Sequence, residues 1–174
     1  MLRRLVPLAA VIGALAFLAT GCGGDDSSKT THWANNLCSA MTTWTDSLGD
    51  ATSSLQSNGL SQASIQSAVD DAKTATQTFV DDLKNLGSPE TQAGADAQDA
   101  INELAADLDQ DVTDAQSSIE KASTVAGAIS AVTNTLSTMS NQVTSTFTQL
   151  QQLDAKGELE QAFEDADSCQ SLTS

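Results

Sequence analysis

The sequence predicts an all-α protein: an antiparallel four-helix-bundle-like domain with a short C-terminal fifth helix. Three observations carry that reading. Apolar residues recur three or four positions apart along most of the chain. No stretch alternates apolar with polar residues as a half-buried strand does. Short polar breaks divide the stripes at helix-sized intervals.

The first stripe runs through Trp33, Leu37, Met41, Trp44, Leu48 and Leu55, and "SNG" at 57–59 breaks it. Ile65, Ala68, Val69, Ala72, Thr76, Phe79, Leu83 and Leu86 form the second, which stops at Gly87. Ser88-Pro89 then reads as a helix start, a capping hydroxyl followed by proline at the first helical position. Ala97, Ile101, Leu104, Leu108, Val112, Ala115 and Ile119 make the third stripe. The fourth comprises Ile129, Val132, Leu136, Met139, Val143, Phe147, Leu150 and Leu153. A helix continuous from 89 to 153 would be about 97 Å long, too long for one compact domain. A bend near residues 121–125 is therefore expected, although Gly127 is the only breaker nearby. After "DAKG", Leu159, Ala162, Phe163 and Ala166 give a short fifth helix. Four antiparallel helices of about 26 to 32 residues follow.

The first 21 residues read differently, as an export signal. Arg3 and Arg4 precede the fifteen-residue apolar run Leu5–Ala19, the layout of a charged n-region and an h-region. As a helix that run spans about 22 Å, short of the roughly 30 Å hydrocarbon core that a retained anchor helix must cross. Ala19-Thr20-Gly21-Cys22 closes it with small residues and a cysteine. This segment resembles the lipobox of bacterial lipoproteins, with Ala19 where leucine is commonest and Leu18 one step earlier. The resemblance covers residues 1–22. It implies cleavage before Cys22 and a diacylglycerol on its thiol, hence a lipid-anchored location on the extracytoplasmic side of the cell membrane. Two acyl chains suffice for stable anchoring where one does not. Residues 22–31 then read as the lipidated cysteine and a flexible Gly/Ser tether, and 32–174 as the domain.

With Cys22 acylated, Cys38 and Cys169 remain as an even pair in an oxidising compartment, and a disulfide between them is expected. Either as a reactive thiol is the weaker reading. There is no CxxC, and His32 lies six residues from Cys38, nearly on the opposite side of the helix.

Composition excludes several functions. The formal charge of the whole chain is −16, and the part after residue 21 holds 5 lysines, 23 acids, one histidine and no arginine or tyrosine. Such a surface repels nucleic acid and acidic lipid. Asp107, Asp109 and Asp111 match the first, third and fifth places of a calcium loop, but Val112 and Ser118 stand where glycine and glutamate are needed. Glu103, Asp107, Asp111 and Asp114 instead fall on one side of the third helix as a solvated face, with weak cation binding the sharper alternative. Asp70-Asp71 and Asp81-Asp82 read as solvated too. One histidine, no arginine and no glycine-rich phosphate loop leave no metal, cofactor or nucleophile constellation, so no enzyme and no cofactor are expected.

Residues 122–153 stand out because these 32 residues carry no charge. Their many Ser, Thr, Asn and Gln side chains exclude a membrane span. Two readings remain: a helix more enclosed by its neighbours than the others, or an uncharged strip for docking a partner or a second copy. Thr135, Asn141 and Thr148 are the candidate partner-surface residues. The expected function is a membrane-anchored, non-enzymatic helical interaction or scaffold module of the cell envelope, joining an unknown envelope protein or itself. The alternative is a carrier of a small ligand or lipid in an apolar cavity between helices, with Trp33 and Trp44 as lining.

Overall fold

The computed structural model describes residues 24–58, 61–153 and 157–170, and within them every regular element is helical. Residues 1–21, read above as an export signal, and Cys22 lie outside the described residues, as does the side chain of Leu55. Four long helices alternate in direction: α1 (Gly24–Asn58), α2 (Gln62–Asn85), α3 (Gly94–Lys121) and α4 (Val125–Gln152). Two short ones follow, α5 (Glu158–Asp165) and α6 (Asp167–Gln170).

Local chemistry sets most of the ends. Ser61 and Ser64 form a reciprocal capping box at the start of α2. Gly87 takes the left-handed conformation after α2 (φ 70°), and Gly157 takes it before α5 (φ 72°). The expected bend falls at residues 122–124, where Thr124 caps α4 by accepting from the Gly127 N–H at 3.1 Å.

Two expectations need correcting. Ser88-Pro89 does not start α3, which begins at Gly94. Tertiary contacts hold this loop out of helix. Gly87 O accepts from Trp33 Nε1 at 2.9 Å, Glu90 pairs with Lys29 at 2.8 Å, and Glu90 O accepts from Thr30 Oγ1. The same contacts answer the second point. Residues 24–31, read as flexible tether, are the first turns of α1, and Thr30 is buried.

The core is mainly aliphatic. Leu37, Phe79, Leu83, Ile101, Leu108 and Leu150 are almost completely enclosed. Trp33 and Trp44 both belong to it, and Trp44 also lines an open groove of about 380 Å³ between α1 and α2. Trp44 stacks on Phe79 with centroids 5.1 Å apart, and Trp33 meets Phe163 at 6.0 Å.

The bundle is not closed symmetrically. α2 packs on α1 and α3, and α4 on α3, but the backbones of α1 and α4 do not come close among the described residues. α5 fills the gap at one end only. Its Phe163 reaches Trp33 of α1 and, at 4.8 Å, Phe147 of α4. α6 is tied to α1 by the Cys38–Cys169 disulfide (Cα–Cα 5.0 Å) and by the Ser168 N–H, which donates to Asn35 Oδ1 at 3.0 Å. At the other end, where α2 and α4 begin, α5 has no counterpart.

Candidate functional site

The uncharged segment forms α4, and α4 lies at the edge of the fold. Only Ala128, Met139, Val143 and Leu150 are buried in its 28 residues, against eight buried residues in the equally long α3. The reading of residues 122–153 as the most enclosed helix is therefore wrong. The reason lies in the topology. α5 takes the place beside α4 that α1 holds in a closed bundle, and α5 is only eight residues long.

The outer face of α4 carries Asn141 and Thr148, both exposed and close to the same direction around the helix. Thr135 departs from expectation. It is half-buried and turns into the space between α2, α3 and α4 rather than outward with the other two. The hydroxyls of Thr133, Thr138, Thr144 and Thr148 each donate to the carbonyl four residues earlier, at 2.8–3.1 Å. These four hydroxyls have their donors satisfied within the helix, and the face as a whole carries no charge, so desolvating it costs less than desolvating carboxylates.

An apolar pocket between α2, α3 and α4 has a volume of about 40 Å³, lined by Val69, Val112, Ile119, Val132 and Leu136 among others. Small-molecule sites are usually about 300–1,000 Å³. The pocket adjoins an open cleft of about 440 Å³ at the end of the bundle, where Gln62, Gln66, Asp70, Gln116 and Glu120 face solvent. Val125, at 39% exposure, is the large apolar side chain left most open on the described surface.

The acidic residues are arranged as a solvated face, with one exception. Glu103, Asp107 and Asp114 are exposed, as are Asp70, Asp71, Asp81 and Asp82. Residues 107–118 lie inside α3 rather than in a loop, and no group of three metal-ligating side chains occurs among the described residues. Asp111 is half-buried. Burial pushes its carboxyl above the usual aspartate value, a hydrogen bond with Gln142 of α4 opposes this, and the charges of Asp107 and Asp114 add to the rise. Asp111 Oδ2 and Gln142 Oε1 remain without partners among the described residues.

His32 is exposed and bonds Asn36 across Nδ1 at 3.2 Å. The disulfide pair sits at the α5 end, far along α1 from the open cleft. Sequence reasoning missed two features, the half-buried Asp111–Gln142 pair and Val125. The second was accessible, since Val125 stands four residues before Ile129 and extends the fourth stripe by one step. No described helix is long and apolar enough to cross a membrane. No family model, curated protein or solved structure matches the chain.

Proposed function

We propose that the protein is a lipid-anchored helical interaction module on the extracytoplasmic side of the cell membrane, docking through α4. The observation that carries this reading is the place of α4. Among the described residues α4 is the one charge-free helix of a strongly acidic chain, and it lies at the edge of the fold with the Thr144 and Thr148 hydroxyls turned onto its own backbone. Such a face loses less on desolvation than the acidic faces, where docking would strip water from carboxylates.

The anchor rests on the lipobox resemblance at Cys22. α1 begins at Gly24, two residues later, so an acyl chain on Cys22 would hold the start of α1 at the lipid surface. The end of the bundle where α4 starts would stand up to about 50 Å away, the length of α1. Both the open cleft and the first half of α4 then face other proteins rather than lipid.

The test is Asn141→Lys and Thr148→Lys in the membrane-held protein, read by cross-linking to neighbours alongside melting temperature. The expected result is weaker cross-linking at unchanged stability, since a buried ammonium needs desolvating. Unchanged cross-linking in both variants would contradict docking through this face.

A further inference from the structure

The apolar pocket between α2, α3 and α4 is not sealed. It shares Val69, Gln116 and Ile119 with the open cleft at the end of the bundle, so the two make one cavity with a narrow throat and a wide mouth. Val112, Val132, Leu136 and Met139 wall the throat, whose volume is about 40 Å³. That is far below the roughly 150 Å³ of a protein cavity that holds benzene, and suits only the end of an alkyl chain. The mouth, at about 440 Å³, falls within the usual range of small-molecule sites. Apolar lining continues from one to the other: Val132 and Ile119 are half-buried and Val125, at the mouth, is exposed. Charge is sorted along the same axis. Asp70 of α2 and Glu120 of α3 line the mouth, both exposed and neither in an ion pair among the described residues. No described basic side chain lines the mouth. Lys73 lines the throat instead, and Lys121 is outside the lining.

We propose that this cavity binds a single-chain organic cation, an alkylammonium with its tail in the throat and its head at the mouth. Such a ligand suits each part of the lining. The tail covers Val69, Ile119 and Val132, which water otherwise reaches in part. The ammonium brings donors only, and the mouth offers it the Asp70 and Glu120 carboxylates and the Gln62 and Gln66 amide oxygens as acceptors. An anionic head on the same tail would meet two carboxylates, after an approach opposed by the −16 charge of the chain. Turned round to reach Lys73, it would have to shed its water inside an apolar throat. A neutral head gains no attraction from either carboxylate. The site is separate from the outer face of α4, so neither depends on the other.

The experiment treats membranes bearing the full chain with photoreactive probes that share one alkyl tail and differ in the head: ammonium, hydroxyl or carboxylate. Labelled positions are mapped by peptide mass spectrometry, with unlabelled alkylammonium ions as competitors. The ammonium probe should label the throat, at Val69, Ile119 or Leu136, more than the other two do. Octylammonium should displace it at lower concentration than butylammonium, by about fourfold for each further methylene that the walls cover. Asp70→Asn with Glu120→Gln, both at exposed positions, should weaken that competition about two- to fivefold and erase the preference for ammonium over hydroxyl. Glu160→Gln with Glu164→Gln removes the same charge from the exposed side of α5 and should change neither. Both double variants should melt as wild type does. Label that octylammonium does not displace overturns the proposal. So does a carboxylate probe that labels the throat as well as the ammonium probe, or an equal loss in the two double variants.

Discussion

Trp44 of α1 donates its indole N–H to Thr76 Oγ1 of α2 at 3.1 Å, and the Thr76 hydroxyl in turn donates to Ala72 O at 2.8 Å. Both side chains are buried, at 5% and 2% exposure. One hydroxyl thus satisfies the polar end of a core tryptophan, and Thr76 also lines the apolar pocket behind α4.

Thr76→Val keeps the shape of the side chain and leaves the Trp44 N–H without an acceptor. The expected cost is about 1–3 kcal/mol in denaturant unfolding, the penalty for an orphaned buried donor. Thr76→Ser, which retains the oxygen, should cost less. Equal losses in the two variants would place the effect in packing instead.

Gly94 begins α3 because nothing larger fits. A Cβ there would lie 2.2 Å from Pro89 O, a backbone atom. Gly94→Ala should therefore destabilise by about 1–3 kcal/mol or more, as overpacking does. Gly49, in the exposed middle of α1 with open space around it, serves as the control. Gly49→Ala should gain roughly 0.5–1 kcal/mol from helix propensity. Thermal melts of the two variants should move in opposite directions.

Much of this was legible beforehand, for identifiable reasons. The four stripes located the long helices because each has a core to face, and Gly87 marked the end of α2 because that position needs a positive φ. Ser88-Pro89 misled, since a local cap signal is weaker than the hold of Trp33, Lys29 and Thr30 on the loop that contains it. The edge position of α4 was not legible. Periodicity shows which side of a helix is apolar, but not whether the next helix is long enough to cover it. Thr135 is a different miss: it stands six residues before Asn141, about 120° around the helix from it and beside the apolar stripe, which the spacing already implied.

Asp111 gives the pH dependence its sign. A carboxyl with a raised folded-state value binds its proton more tightly when folded, so stability falls as pH rises from the unfolded value, near 3.8, through the folded one. Protonation would also turn one of two orphan acceptors, Asp111 Oδ2 and Gln142 Oε1, into a donor. Asp111→Asn should thus raise the melting temperature at pH 7 and lose that advantage below about pH 4. A variant less stable than wild type at neutral pH would show that the ionised carboxylate is favourable here.

The Cys38–Cys169 bond closes a loop with a sequence separation of 131, which in the chain-entropy model is worth about 5 kcal/mol. Reduction should lower the melting temperature substantially and leave the far-ultraviolet helical signal in place at 25 °C, because the long stripes remain to be buried. Free thiols at both positions in natively exported material would contradict the pairing.

Everything proposed about place and partner begins at Cys22, and the intact mass of the mature chain tests it most directly. The predicted species starts at Cys22 and carries a diacylglyceryl group on the thiol, and Cys22→Ser should abolish both the modification and retention in the membrane fraction. An unmodified chain starting at another residue, or full retention of Cys22→Ser, would contradict the anchored module.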